Sequence, residues 1–298
     1  MPFIQRLVII GVGLIGASFG LGLRRAGAAE RVIGVGRSRA NLETARRLGA
    51  IDEIQEDLGA AVRGAELVML ALPVGQTARI LAHLDPLLER GTVVTDAGST
   101  KQNVISAARC FLSGHLPSFV PGHPVAGADA SGAGAASAGL YEGRQVILTP
   151  LAETDAAALG LVTAAWEACG ARVYRMDAAE HDHVLGMVSH LPHVLAFAYM
   201  DLVARDPSRE RLLELAGTGF RDFTRIAGSS PEMWRDICLA NREPLLTSLE
   251  EFSDRVDELR TALEAQDGAT LAQLFAGASD TRRQWGVRTG EDSAGPGQ

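Results

Sequence analysis

His123 stands between Gly122 and Pro124 and is the first residue in this chain with the makings of a catalyst. An imidazole titrates near neutral pH, so it can take a proton from a substrate hydroxyl. The competing reading is a histidine packed in a loop. Ser99 follows a strand-like run and could hydrogen-bond the same hydroxyl, or cap the helix that Ser-Thr-Lys-Gln precedes. Ser189-His-Leu-Pro-His193 places two histidines three apart on one face of a bent helix. A metal there would need further ligands, and no cysteine or paired carboxylate stands at suitable spacing. Arg225 lies in the otherwise apolar run Gly219-Phe-Arg-Asp-Phe-Thr-Arg-Ile-Ala. It suits a carboxylate clamp, or a salt bridge to Asp222 three residues away.

A second kind of chemistry is written at the N-terminus. Leu7 to Ile10 is a short apolar run, and Gly11, Gly13 and Gly16 follow at G-x-G-x-x-G spacing, with Leu14 and Ile15 opening a helix that continues to Arg25. A glycine lets the chain turn after the strand. The next admits a pyrophosphate to the backbone, and the third lets helix pack on strand. Free N–H groups at the helix start favour the phosphates. An NAD site usually closes the second strand with an acid ~20 residues later. Here Gly36 is followed by Arg37, Ser38 and Arg39, which could hold a 2′-phosphate. The expectation is a dinucleotide, NADP favoured and NAD possible; the alternative is that both arginines are solvated.

The elements that must position these residues alternate. Arg31–Gly36, Glu66–Pro73 and Gly91–Asp96 read as strands, with helices over Asn41–Leu48 and about Gln76–Glu89. Ser118–Val120, Gln145–Thr149 and Arg172–Arg175 are further strands, with a helix over about Asp155–Cys169. This is a Rossmann-type, doubly wound, mainly parallel α/β sheet. Ligands bind such sheets at the C-terminal strand ends, which adds Leu72, Pro73 and Ser99 to the cofactor residues. Gly132–Gly139, rich in Gly, Ala and Ser, reads as a mobile loop over the site. After about Met176 the pattern is helical. Ala178–Arg205 is a long stretch interrupted by Pro192, and Arg209–Ala216, Pro231–Asn241, Pro244–Ala265 and Leu271–Trp285 follow. The expected organisation is a dinucleotide-binding domain over 1–177, an all-helical substrate and dimerisation domain over 178–287, and a disordered tail over 288–298.

Composition narrows the class. The 298 residues suit two domains. With 47% hydrophobic and 21% charged residues, the chain can bury a sizeable core. A net charge of −8 without a basic stripe argues against nucleic acid. Cys110, Cys169 and Cys238 are far apart and read as small hydrophobes in a reducing compartment. A strand begins almost at once, leaving no room for a signal peptide, and no apolar run approaches the ~20 residues of a bilayer span. The expectation is a cytoplasmic protein with no membrane partner.

Taken in order, G-V-G-L-I-G, D-A-G-S-T-K, G-H-P-V-A-G, V-S-H-L-P-H, G-F-R-D-F-T-R-I-A and P-E-M-W-R-D-I resemble the prephenate and arogenate dehydrogenases of tyrosine biosynthesis. The resemblance spans nearly the whole chain. It implies oxidative decarboxylation of a cyclohexadienol, prephenate or arogenate, to 4-hydroxyphenylpyruvate or tyrosine, with hydride passing to NAD(P). It implies His123 as the base and Ser99 as the group orienting hydroxyl and imidazole. Arg225 would hold the side-chain carboxylate and His193 would meet the ring carboxylate, with His190 structural. Asp129 falls where some relatives carry a longer glutamate that gates the pocket. Trp234 would help close the pocket, from this subunit or its partner, or simply pack in the core. Related two-domain reductases with a helical-domain lysine are set aside, because no lysine follows Lys101. A non-catalytic dinucleotide sensor is the remaining alternative. Successive amphipathic helices after about 178 point to a two-fold homodimer.

Overall fold

The computed structural model describes residues 3–127 and 130–289. The chain forms two compact units, residues 1–245 and 246–298. The first begins with β1 (Ile4–Ile10), α1 (Leu14–Arg25), β2 (Ala29–Val35), α2 (Arg39–Arg47), β3 (Glu53–Ile54) and α3 (Leu58–Val62). It continues with β4 (Leu67–Leu70), α4 (Thr77–Leu84), β5 (Val93–Asp96), α5 (Gln102–Phe111) and β6 (Phe119–Val120). These six strands form one parallel sheet in the order β3-β2-β1-β4-β5-β6.

β1 shows why a continuous apolar run makes a central strand. Alternate side chains point to opposite faces. Leu7 and Ile9 enter a core with Phe19 and Trp166; Val8 and Ile10 enter another with Leu81 and Val104. Both faces are therefore buried, as parallel sheets require. The order reverses between β1 and β4, which opens a crevice beyond their C-terminal ends.

The sheet ends at Pro121, which has no N–H to extend a ladder. The chain turns there into a second sheet not foreseen from sequence. It comprises β7 (Gly122–Pro124), β8 (Gln145–Leu148) and β9 (Arg172–Arg175), with β7 antiparallel to β8, and α6 (Ala156–Ala168) joins the last two. His123 is thus a strand residue opposite Ile147, not a loop residue.

The segment expected to be a mobile loop is fastened down. The Ala133 amide donates to Asn41 Oδ1 at 2.8 Å, and the Ser137 amide to Ser18 Oγ at 3.0 Å. The Tyr141 hydroxyl, close beyond, donates to the Ile15 carbonyl at 2.6 Å. Small side chains let this segment lie directly on α1 and α2, and Ala133 is fully buried.

No strand occurs among the described residues after β9. α7 (Ala178–Leu185) passes through a π-helical turn at Gly186–His190 into α8 (Leu191–Arg205). The expected interruption at Pro192 is therefore not a break. The Leu191 amide bonds back to the Gly186 carbonyl, and this wider turn accommodates a proline that cannot donate. An 18-residue part of this 28-residue stretch has a mean hydropathy of 1.2, which by length and composition alone would suffice to cross a membrane. The stretch also buries His181, Asp182 and His190.

α9 (Arg209–Glu214), α10 (Thr218–Thr224), a 3₁₀ turn at Arg225–Gly228 and α11 (Pro231–Ala240) follow. Ser230 caps α11, its Oγ accepting from the Met233 amide. α12 (Arg242–Glu264) begins at the end of the first unit, and the second unit contains most of it together with α13 (Gly268–Thr289). α13 runs two residues into the expected tail; 290–298 lie outside the described residues.

Candidate active site

Two groups of residues gather at the C-terminal edge of the sheet. The first lines a cleft of about 850 Å³ at the strand-order reversal. Gly11 has φ +94°, and a Cβ there would stand 2.3 Å from the Ala71 carbonyl oxygen, so only glycine turns the chain here. A Cβ on Gly13 would meet nothing within 4 Å, and no side chain caps α1. The first N–H groups of α1 and their partial positive charge are thus left for an anion, the fit a pyrophosphate needs.

Of the expected cofactor residues, Gly11, Gly13, Arg37, Ser38, Leu72 and Pro73 line the cleft. Gly16 instead packs helix on strand, its absent Cβ leaving room for the Gly11 carbonyl. Leu14 is buried, and Ile15 contributes its carbonyl to Tyr141. Arg39 does not line the cleft; exposed, it pairs with Glu43 at 2.9 Å and Glu56 at 3.1 Å. Sequence reasoning missed Asn41, Gln76 and Arg79, which also line the cleft. Arg79 lies on the exposed face of an ordinary amphipathic helix, and only the fold makes it share a cleft with Gly36 and Arg37.

The second group is a buried polar cluster beyond β5. Asp96 ends that strand. Its Oδ2 accepts from Lys101 Nζ at 2.5 Å and its Oδ1 from the Gly122 amide at 3.0 Å. Lys101, the chain's single lysine, also donates to the Gly122 carbonyl at 2.6 Å and is fully buried. Burial lowers the Lys101 pKa and Asp96 opposes this. The ion pair ties the parallel sheet to β7 and so sets where His123 begins.

His123 is nearly buried. Its Nδ1 lies 2.8 Å from His181 Nε2, and His181 Nδ1 lies 2.8 Å from Asp182 Oδ1. Burial first, then His181, Lys101 and His190, push the His123 pKa well below 6.5. It is therefore neutral at physiological pH, the form a base must take. Ser99 sits half-buried in the turn before α5 and makes no hydrogen bond among the described residues. It is not the helix cap, a position held by Lys101, and the imidazole is held by His181 instead. A histidine and an aspartate side by side in α7, both buried, were the overlooked signal.

His193 extends from the first turn of α8, its Nδ1 2.8 Å from the Ser189 carbonyl. It stacks on Trp234 of α11 in the same chain. Burial lowers its pKa, the Ser189 contact opposes this, and Arg225 adds to the lowering. Arg225 is exposed at the head of its 3₁₀ turn. The structure thus brings His193, Trp234 and Arg225 together. His190 is buried, accepts from Asn241 Nδ2 at 2.9 Å, and has its pKa lowered to about 4, chiefly by burial. Asp129 lies outside the described residues.

Val74, just past the cleft residue Pro73, packs with Trp234 and Ile237. A Cβ on Gly98 would touch Val74 at 3.1 Å and Asp96 Oδ2 at 2.8 Å. The cleft, the histidine cluster and the aromatic stack are therefore contiguous.

Known proteins are similar to this chain in sequence and fold. A family model described as prephenate dehydrogenase, nucleotide-binding domain, matches residues 19–175, and one described as prephenate dehydrogenase, dimerization domain, matches 177–277. A cyclohexadienyl dehydrogenase of Zymomonas mobilis is 36% identical over 95% of this chain and 96% of its own. A prephenate dehydrogenase of Bacillus subtilis is 37% identical over 93% of this chain and 75% of its own. The structure of prephenate dehydrogenase from A. aeolicus, in complex with hydroxyphenyl propionate and NAD+, superposes with a TM-score of 0.88 at 36% identity, covering 94% of this chain and 98% of that one. With both halves matched in order on one chain, the protein belongs to the prephenate dehydrogenase family.

Proposed function

We propose that the protein oxidatively decarboxylates prephenate, arogenate or both, giving 4-hydroxyphenylpyruvate and tyrosine respectively. A nicotinamide dinucleotide, when bound in the β1–β4 cleft, supplies the hydride acceptor. The observation that carries this reading is His123: neutral, nearly buried and held through one ring nitrogen by His181.

His123 Nε2 takes the proton of the substrate hydroxyl as the ring carbon is oxidised, and returns it to the phenol oxygen after carbon dioxide leaves. Arg225 holds the side-chain carboxylate. His193, with its pKa lowered, is neutral and meets the ring carboxylate without fixing it strongly. That suits a group that must depart, because catalysis favours the transition state over the ground state. Ser99, in the turn between β5 and α5, steers the hydroxyl in this reading. The A. aeolicus relative holds hydroxyphenyl propionate, which carries a phenol and a carboxylate side chain like those of the product.

NADP is the favoured dinucleotide. Arg37 and Arg79 both line the cleft, no acid follows β2, and Ser38 adds a hydroxyl. The A. aeolicus relative holds NAD+, so the preference rests on these side chains alone. Residues 178–287 are the substrate and dimerisation part of the chain. A two-fold homodimer accounts for exposed Val188, Leu202, Leu215 and Leu239 in the helices that the dimerization-domain model covers.

The test is a steady-state matrix of prephenate and arogenate against NAD and NADP, read at the reduced-nicotinamide absorbance, with His123→Asn alongside. Turnover of at least one substrate, falling ~10²–10⁴-fold in the variant, is expected. Absence of turnover with all four pairs would leave a dinucleotide-binding protein of another kind.

A further inference from the structure

Asp182 is a buried carboxylate that the reaction does not touch directly, yet it makes contact with both ends of the catalytic constellation. Its Oδ1 accepts from His181 Nδ1 at 2.8 Å and from the Lys101 amide at 2.7 Å; its Oδ2 accepts from the Gln102 amide at 2.8 Å. It stands on α7, 80 residues from the turn it holds. α5 has no cap from its own sequence, so its first amides depend on this carboxylate. Burial raises the Asp182 pKa, but the hydrogen bonds from His181, Gln102 and Lys101 outweigh it and keep the group ionised.

An ionised carboxylate can only accept. His181 Nδ1 must therefore carry a proton, which leaves His181 Nε2 a lone pair in the neutral ring. That lone pair faces His123 Nδ1 at 2.8 Å, so His123 Nδ1 must carry its proton. The remaining nitrogen, His123 Nε2, is then unprotonated. The groups around His123 are His181 of α7, Lys101 before α5 and His190 of the π turn; Lys101 Nζ is engaged with Asp96 and the Gly122 carbonyl and His190 with Asn241, so neither reverses this order.

We propose that Asp182 is the positioning residue for proton transfer: through His181 it fixes His123 in the tautomer whose Nε2 can accept, and through the Lys101 and Gln102 amides it holds the turn that bears Ser99. The first role is that of the aspartate in a Ser–His–Asp triad, carried here through one more imidazole. The proposal rests on His123 being the base.

The experiment is nitrogen-15 NMR of the seven histidines in the full-length protein, assigned with His123→Asn and His181→Gln. At neutral pH the wild-type His123 should show a protonated Nδ1 and an unprotonated Nε2. Asp182→Asn, which can donate to His181, should convert His123 to the other tautomer or to a mixture. Its kcat should fall ~10²–10³-fold, within the range a general base contributes, with substrate KM and dinucleotide Kd changed less than about threefold. His181→Gln can still accept from His123 Nδ1 and should retain more turnover than His181→Leu. A wild-type His123 protonated at Nε2 overturns the proposal, and so does an Asp182→Asn protein with unchanged tautomer and turnover. The tautomer is read without substrate. Failure of prephenate and arogenate as substrates is therefore seen separately, and the wild-type spectrum decides the matter if Asp182→Asn does not fold.

Discussion

The imidazole of His193 lies against the indole of Trp234, ring centroids 3.6 Å apart and planes 19° from parallel. Trp234 also meets His190 edge-on at 6.0 Å and packs on Val74, next to the cleft. It is thus the floor on which His193 rests. Trp234→Phe keeps a ring but loses part of the stack, worth about 0.5–1.5 kcal/mol. Substrate KM should rise about 2- to 10-fold with little change in dinucleotide affinity. An unchanged KM would make Trp234 ordinary core.

Arg225 acts on the same histidine by charge. Arg225→Ala should weaken substrate binding by about 1.5–3 kcal/mol, the scale of hydrogen bonds to charged groups, or about 10- to 150-fold in Kd. Binding of the dinucleotide alone, followed by calorimetry, should barely move. Equal losses for both ligands would mean that Arg225 supports the fold instead of clamping a carboxylate.

Cofactor choice should depend on Arg37 and Arg79 and hardly on Arg39, whose guanidinium is taken by Glu43 and Glu56. Arg37→Ala should cut the NADP-over-NAD ratio of kcat/KM, Arg79→Ala less so, and Arg39→Ala little. Gly36→Asp should reverse the preference. A Cβ there meets only Leu42 side-chain carbons, the nearest at 3.4 Å, so the acid fits. Added salt should narrow the wild-type preference, since exposed charges are screened over ~10 Å at 0.1 M. A wild type that prefers NAD would show that these arginines face solvent.

Stability should decline in mild acid because of His190. Its pKa falls from 6.5 to about 4 on burial. Between those values the unfolded chain holds a proton that the folded chain excludes, so stability drops as pH falls. The loss should amount to on the order of 3 kcal/mol by pH 4. His123, also held neutral, acts in the same direction. Asp182 has the opposite charge type and a lowered pKa, so its contribution is lost only below about the ordinary carboxylate value. Urea titrations at pH 7 and pH 4.5 measure the slope, and equal midpoints would sink the assignment.

Much of this protein is decided within a few residues of chain. The Gly11–Gly16 fingerprint, the apolar β1 and the strand–helix alternation carry their meaning locally, because a turn, a pleat and a helix repeat are set by near neighbours. His123, His193 and Arg225 were legible for a similar reason: polar residues in apolar or structure-breaking settings. Trp234 and the Arg37–Arg39 run were legible only as candidates. Nothing in the run distinguishes Arg37, which lines the cleft, from Arg39, whose carboxylate partners are Glu43 and the more distant Glu56. Flexibility inferred from glycine content failed over Gly132–Gly139, because Asn41 and Ser18 supply partners from other elements. The tertiary structure alone joins Asp182 and His181 to His123, 58 residues away, and Lys101 to Asp96 inside the core. Buried polar groups must find partners wherever the packing places them, and that placement is a property of the assembled sheets and helices, not of any stretch of sequence.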